Sequence, residues 1–312
     1  MGPEPSLPPA PREEEAPLPP PPQPIRAPRL RSLLAPNPSP LTFTGTRTYL
    51  LGTGRVAVID PGPADDSHLD AILSALDPGE TVSHILVTHA HRDHSALAPR
   101  LAAATAAPVL AHGSAAEGRS PQMQALAMQG LSAGGDGLDT AFAPDLRLGD
   151  GDRLTGPDWE ITALHTPGHL GGHLCLSAGE VLFSGDHVMG WSSSVIAPPD
   201  GDMGQYMDSL AALNRPDWRQ FLPGHGDPIS EPQHRVQALI AHRQQREAEI
   251  CRALEAGPAG ADGLATRLYP DLAPALHPAA CRNVFAHLLD LLRKNRVTTD
   301  PQPSMDSLFR LR

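Results

Sequence analysis

The segment THAHRDH, residues 88–94, places three histidines and an aspartate within six positions, directly after the apolar run ILV. A short apolar run of this kind is typical of a buried strand. Alternate side chains of an extended chain face the same way, so His89 and His91 can converge. Asp93 and His94 follow where the chain turns into a helix. Because imidazole and carboxylate bind zinc and related divalent metals, the segment predicts half of a metal site. A polar loop at a strand end is the alternative.

Three later segments contain residues that could complete such a site. Each follows a strand-like run and lies beside glycine: TPGH contains His169, SGD contains Asp186 and PGHG contains His225. We expect these side chains to reach a common edge of the sheets, close to THAHRDH. Any single histidine among the 15 in the chain would mean little, but four such segments together indicate a metal centre.

With VIDPG at residues 58–62, these motifs resemble the five sequence motifs of the metallo-β-lactamase superfamily of hydrolases, in order, over about residues 41–229. The resemblance implies an α+β fold, a four-layer αβ/βα sandwich with the site at one edge of its two sheets. Asp60 would orient one ligand from outside the metal shell. The family's common DHSGG ending is DHSAL here, which changes a helix start and no ligand. The implied ligands are His89, His91 and His169 for one metal, Asp93, His94 and His225 for the other, and Asp186 as the bridge.

The resemblance also implies a cofactor of two divalent metal ions, with zinc expected and iron or manganese as alternatives. Two such ions can share a water and lower its pKa to about 7, so that a metal-bridging hydroxide attacks the substrate. Asp93 and Asp186 are the candidate catalytic residues, because Asp93 can also accept the water's proton and Asp186 bridges the metals. A redox di-iron site would have glutamate at position 91, and zinc β-lactamases usually have cysteine at position 186, so neither is favoured.

Four further residues with motif context have open roles. His173 could support the metal ligands or touch substrate, His187 is expected to point away, and His165 is expected to be structural. Trp191, in the segment after Asp186, could contact substrate or pack within its own loop.

The expected function is hydrolysis of a small ester or thioester, similar to glyoxalase II. The C-terminal helices resemble the winged-helix-like domain of the β-lactamase-like protein 2 branch, which includes endoribonucleases, so cleavage of single-stranded RNA is the alternative. A winged-helix binding protein with an inactive hydrolase domain is a third possibility. RNA cleavage needs a basic path to the site, which could be formed by Arg243, Arg246, Arg282, Arg293 and Arg296.

The chain divides into three parts by composition. Residues 1–40 contain 15 prolines and predict a disordered tail, with a proline-rich ligand for a partner as the alternative. Residues 41–230 predict the hydrolase domain, in which residues 113–145 predict a helical insert with a loose loop. Residues 231–312 predict the winged-helix-like domain, with TTDPQPS as a short wing or turn. Periodicity also predicts a strand over 56–59, a helix over 66–76 and a strand over 218–222.

Composition narrows the partners and the compartment. The net charge is −11, which disfavours a general nucleic-acid binder but allows a local basic groove. The three cysteines are far apart, which suggests a reducing compartment. Since the chain has neither an apolar run of membrane length nor the order of a signal peptide, we expect a cytoplasmic protein with a small-molecule substrate and no membrane partner. The oligomeric state stays open.

Overall fold

The computed structural model describes residues 29–132 and 137–312. Within these ranges the chain forms two large sheets, eight α-helices and a small C-terminal sheet. The predictions for residues 1–28, and for residues 133–136 of the loose loop, lie outside the described residues. None of the described helices is long and apolar enough to cross a membrane.

The first sheet has six strands in sequence order. The first three pair antiparallel, and the rest pair parallel, so the strands that follow the hairpin end at one common edge. The strands are β1 (Leu30–Leu34), β2 (Arg47–Leu51), β3 (Arg55–Ile59), β4 (Thr81–Leu86), β5 (Val109–Ala111) and β6 (Leu146–Arg147). Helices α1 (Asp66–Ser74), α2 (Arg92–Ser95) and α3 (Ala98–Thr105) lie between these strands in the chain.

Helix α3 carries Pro99 in its first turn, where the missing N–H costs nothing. Asp65 caps α1 by accepting a hydrogen bond from the backbone N–H of His68. Both helices bury apolar side chains against the outer face of the first sheet, including Ile72 and Leu101.

The second sheet has five strands in the order β11-β10-β9-β8-β7. Among these described strands, only the β10–β11 pair is parallel. The strands are β7 (Arg153–Thr155), β8 (Glu160–His165), β9 (Leu174–Ala178), β10 (Val181–Gly185) and β11 (Gln220–Pro223). Helix α4 (Pro121–Met128) lies in the insert before β6, and α5 (Met203–Leu213) covers the outer face of the second sheet.

The two sheets pack face to face through a shared apolar core. Tyr49 and Ile59 of the first sheet belong to the same buried cluster as Ile161 and Phe183 of the second. Because one further cluster joins each sheet to its own helices, the layers run helix, sheet, sheet, helix. The predicted four-layer α+β sandwich is confirmed.

The C-terminal part is helical and has its own core. Its elements are α6 (Pro232–Glu255), α7 (Ala261–Leu268), a 3-10 turn (Pro274–Leu276), α8 (His277–Arg293), β12 (Val297–Thr299) and β13 (Phe309–Leu311). Strands β12 and β13 form an antiparallel ribbon, which is the wing that TTDPQPS suggested. Met123 and Leu126 of α4 join this core, so the insert packs against the C-terminal helices.

One boundary of the predicted tail is wrong. Residues 30–34 form strand β1, which pairs in register with β2, although the tail was expected to extend to residue 40. The prolines at 28 and 36 flank a proline-free segment, LRSLL, and averaging the composition over forty residues hid it. The edge strands β6 and β7 were also missed, because two or three residues carry no periodic signal.

Candidate metal centre

All seven predicted ligand side chains meet at one edge of the sandwich. His89, His91, Asp93 and His94 follow the carboxyl end of β4, in the connection to α2 and in its first turn. The others come from the second sheet, where His169 lies in the β8–β9 loop, Asp186 directly follows β10 and His225 follows β11. Their candidate ligand atoms form overlapping groups in which all atoms lie within 4.8 Å of one another.

The first group consists of His89, His91 and His169. The Nδ1 atom of His91 lies 2.9 Å from Nε2 of His89 and 3.0 Å from Nε2 of His169. The Oδ2 atom of Asp186 lies 3.9 Å from Nε2 of His89 and 3.8 Å from Nε2 of His169. Ligand atoms at 2.0–2.1 Å from a tetrahedral zinc ion lie about 3.3 Å apart, so this spacing fits a divalent cation.

The second group consists of Asp93, His94 and His225. Oδ2 of Asp93 lies 3.4 Å from Nε2 of His94 and 3.1 Å from Nε2 of His225. Asp186 reaches this group too, with Oδ1 at 3.4 Å from His94 Nε2 and Oδ2 at 3.3 Å from His225 Nε2. Asp186 therefore lies between the two groups, where a bridging carboxylate would have to lie.

Four of the five histidines are oriented by their second ring nitrogen. In each, Nδ1 lies at hydrogen-bond distance from an oxygen atom, so that Nε2 is left to face the cluster. This arrangement selects the tautomer and the ring orientation that metal binding needs. The pairs are His89 with Thr88 Oγ1 at 3.0 Å, His94 with Asp60 Oδ2 at 2.9 Å, His169 with Val195 O at 2.7 Å, and His225 with Gly45 O at 3.2 Å.

Asp60 lies beneath the cluster, as its motif suggested. Its side chain is buried, and its two oxygens accept hydrogen bonds from the backbone N–H and the hydroxyl of Thr88, each at 2.8 Å. The same carboxylate accepts the Nδ1–H of His94. Its backbone has a φ of 49°, a left-handed conformation that Asp tolerates better than most residues.

The electrostatics of the cluster favour a cation. Burial lowers the pKa of His91 to about 3, and His169 adds to that shift. Burial alone would raise the pKa values of Asp93 and Asp186, but the adjacent histidines hold both well below their ordinary range. Burial alone would lower the pKa of His225, but Asp186 and its neighbours raise it to about 10. Two carboxylates, one buried and one partly exposed, thus stay ionised side by side at neutral pH.

Two buried polar atoms without a hydrogen-bond partner are placed where a metal ion could satisfy them. Among the described residues, the buried Nε2 of His94 and Oδ1 of Asp186 have no hydrogen-bond partner, although they lie 3.4 Å apart. Leaving such atoms buried and unpaired costs free energy. A divalent cation between the two residues would satisfy both atoms, so the donor set fits the metal ions that the resemblance implies.

Close packing of the backbone keeps the ligands in place. A Cβ atom on Gly224 would lie 2.5 Å from Cε1 of His94 and 2.6 Å from Oδ1 of Asp186. Only glycine leaves room for both candidate ligands at this position.

The remaining histidines of the motifs are structural. His173 is buried, and its Nε2 accepts a hydrogen bond from the backbone N–H of Asp186 at 3.3 Å, so it supports a candidate ligand. His187 is buried, its ring centroid lies 4.7 Å from that of Tyr206, and it belongs to none of the candidate ligand groups of the described residues. His165 lies at hydrogen-bond distance from the carbonyl of Gly171, 2.9 Å away, which agrees with the structural role expected of it.

An exposed pair of aromatic residues lies beside the centre, and the sequence identified only one of the two. Phe43 and Trp191 stack with ring centroids 5.0 Å apart, although 47% and 38% of their surfaces are exposed. The pair lies next to the segment that carries His225. The carbonyl of Gly45, two residues after Phe43, lies 3.2 Å from Nδ1 of His225, and a Cβ atom on Gly226 would lie 2.7 Å from the Trp191 ring. Trp191 was a candidate from its position in the sequence, whereas nothing in the sequence around Phe43 distinguished it.

The fold and the donor set together define a metal-dependent hydrolase of the four-layer sandwich class. Comparison with known families gives the particular family. A profile of the metallo-β-lactamase superfamily matches residues 41–225, and the chain belongs to that superfamily. A profile of the β-lactamase associated winged helix domain matches residues 261–304.

Individual relatives agree with this assignment. The chain is 30% identical to the β-lactamase-like protein 2 homolog of Drosophila melanogaster, over 85% of the chain and 88% of that protein. It is 28% identical to the atrochrysone carboxyl ACP thioesterase dmxR1 of Cryptosporiopsis sp., over 73% of the chain and 64% of that protein. The crystal structure of a metallo-β-lactamase family protein from Thermus thermophilus superposes with a TM-score of 0.72 at 25% identity, covering 91% of this chain and 98% of that one.

The fungal relatives are longer than the matched region. The chain spans only 63% of the lactamase-like protein adaB of Aspergillus niger, to which it is 30% identical over 72% of its own length.

Proposed function

We propose that this protein hydrolyses a small thioester or ester with two divalent metal ions, zinc in the first place. The observation that carries the proposal is the convergence of six imidazole and carboxylate side chains around one shared carboxylate, Asp186. Metal ions bound there would polarise the scissile carbonyl and supply a nucleophilic oxygen at neutral pH. In this proposal His89, His91 and His169 hold one ion, Asp93, His94 and His225 hold the other, and Asp186 contacts both.

The carboxylates of Asp93 and Asp186 would have different roles in the reaction. The Asp93 side chain is 24% exposed, against 11% for Asp186 and 0% for His94, so Asp93 faces the opening of the centre. Thr46 donates a hydrogen bond to Asp93 Oδ2 at 3.2 Å, which fixes the carboxylate but leaves its other oxygen available. Asp93 is therefore suited to receive a proton from the reacting centre, while the enclosed Asp186 stays in place.

The exposed apolar surface beside the metal centre is suited to an acyl substrate. Phe43 and Trp191 present exposed aromatic surface beside His225, and Leu41 in the same loop as Phe43 is 55% exposed. Apolar surface of this kind binds the hydrocarbon part of an acyl group. The fungal relative named as a carboxyl ACP thioesterase acts on a substrate of that chemistry, which agrees with the proposal.

Cleavage of single-stranded RNA is the second candidate, because an exposed aromatic pair can also stack on bases. The predicted basic path does not support it. Arg243 is buried, and two of the other four arginines are occupied by acidic partners, Arg246 by Glu249 and Arg293 by Asp290. An interrupted path offers few phosphate contacts.

A direct comparison of the two substrates tests the proposal. Protein loaded with zinc is assayed on acyl thioesters of coenzyme A and of an acyl carrier protein, and on single-stranded RNA at low and moderate salt. We expect thioester hydrolysis that is insensitive to salt, and loss of it in Asp186→Ala with the circular dichroism spectrum unchanged. Activity that is confined to RNA and falls steeply with salt would refute the proposed thioester hydrolysis.

The aromatic border has its own test. Trp191→Ala should raise KM for a long acyl thioester more than for an acetyl thioester, with little change in kcat. Equal effects on the two substrates would show that the pair does not contact the acyl chain.

A further inference from the structure

The loop of residues 189–196 supports two of the candidate metal ligands from behind. The carbonyl of Val195 accepts the Nδ1–H of His169 at 2.7 Å. The hydroxyl of Ser194 donates to the backbone carbonyl of Asp186 and lies 3.0 Å from that of His187. Any displacement of the 189–196 loop would therefore move His169 and Asp186 together.

Three side chains of the C-terminal helices hold this loop. Arg235 of α6 donates to the carbonyls of Met189 and Ser192, both at 2.6 Å. Asn283 of α8 accepts the backbone N–H of Ile196 at 3.3 Å. Between them, Arg243 of α6 donates from Nη2 to the carbonyl of Ser194.

Arg243 is in an unusual position for a guanidinium group. Only 1% of the residue is exposed, and its charge lies 5.2 Å from the centroid of the Tyr206 ring. Among the described residues, its Nε and Nη1 have no hydrogen-bond partner, and no ion pair is formed. Burying an unpaired charge costs several kcal/mol in general, so this arginine is a poor choice for stability alone. A role in holding Ser194 accounts for its presence.

We propose that Arg243 is a positioning residue for the metal centre, acting through Ser194 and Val195 on Asp186 and His169. The C-terminal helices thereby form part of the machinery of the hydrolase domain. This inference rests on the proposed function, because it takes His169 and Asp186 as metal ligands.

The test separates positioning from a purely structural role. Arg243→Met keeps much of the side-chain volume and removes the buried charge, so the metal-free variant should unfold at the same temperature as the parent or higher. Its affinity for zinc, measured by calorimetric titration of the metal-free protein, should nevertheless fall by about 10-fold, the lower limit for groups that orient ligands. Arg243→Lys, which can still reach the carbonyl of Ser194, should recover part of the loss. The exposed Arg252 of the same helix provides the control, and Arg252→Met should change neither quantity.

Each outcome decides the matter. If Arg243→Met binds two zinc ions as tightly as the parent, the positioning role is refuted. If that variant does not fold, Ser194→Ala replaces it, because it removes only the hydroxyl that holds the Asp186 carbonyl, and unchanged zinc affinity there refutes the action on Asp186 that the proposal requires. Failure of the parent protein to bind two ions would instead overturn the proposed function.

Discussion

Replacement of Asp60 by Asn tests how the metal centre selects its histidine tautomers. The substitution keeps the size of the side chain and suits the φ of 49° at this position, because Asn accepts left-handed backbone. It replaces one acceptor oxygen by an NH2 donor. Whichever way the amide is turned, the NH2 group faces either the backbone N–H of Thr88 or the Nδ1 of His94. Since the backbone N–H cannot change, the NH2 group will face His94 and the Thr88 hydroxyl, which share the other oxygen.

His94 must then place its proton on Nε2, the atom that faces Asp93 and Asp186. Binding a metal at Nε2 would return the proton to Nδ1. The Nδ1–H of His94 would then face the introduced NH2 group, so that two hydrogen-bond donors would meet with no acceptor between them. An unsatisfied buried donor costs about 1–3 kcal/mol. At about 1.4 kcal/mol per tenfold, this predicts a loss in affinity of about 5–150-fold at the site of His94.

Zinc titration of the metal-free variant, followed by calorimetry, measures this loss. We expect the larger loss of affinity at the site of His94, which contacts Asp60 directly, and a smaller loss at the site of His89, which is linked to Asp60 only through the Thr88 hydroxyl. Asp65→Asn is the matched control, since it makes the same chemical change at the cap of α1, where Asn is an equally good cap. Two ions bound by Asp60→Asn with parental affinity would refute the tautomer argument.

Two further predictions follow from packing and burial. Gly224→Ala should displace His94 and Asp186, so that elemental analysis finds fewer than two zinc ions per chain. Gly263→Ala is the control, because Gly263 lies in a helix with open space around its Cβ position. This control should leave the zinc content unchanged and raise the unfolding temperature slightly. Burial, with help from Arg243 and Arg246, holds the pKa of His287 well below its usual value, so the native protein keeps this ring neutral while the unfolded chain protonates it near pH 6.5. The stabilisation is complete above that pH and is lost as the pH falls, by at most about 1.4 kcal/mol per pH unit. Urea unfolding of metal-free protein at pH 7, 6 and 5 should show a shallower loss for His287→Leu than for the parent, and parallel slopes would contradict the argument.

The metal centre was the most predictable part of the molecule, for a physical reason. His89, His91, Asp93 and His94 are neighbours in the chain, so their spacing after a strand already restricts where they can point. The three distant residues were identifiable because each follows a strand beside glycine, and strand ends gather at an edge. The structure brings all seven together, while their roles as ligands stay a prediction.

Features that depend on contacts between distant segments could not be predicted. Arg243 was a candidate for the basic path, because a charged residue in a long helix normally faces water, but packing of α6 buries it. The stacking of Phe43 on Trp191 joins a loop after β1 to a loop after β10, and neither loop has a periodic pattern. Strand β1 itself was hidden between prolines, since its pairing with β2 is visible only in three dimensions.

The ligands are divided between the two halves of the sandwich, four from the first sheet's side and three from the second's. Neither half carries a complete set for either ion, because His169 and His225 come from the second half. Cations held between them would cross-link the two sheets, and their binding free energy would be added to the stability of sheet docking. Full metal loading would therefore require that the two halves have docked. Chelation would weaken the docking of the two halves before it affected the stability of either half alone.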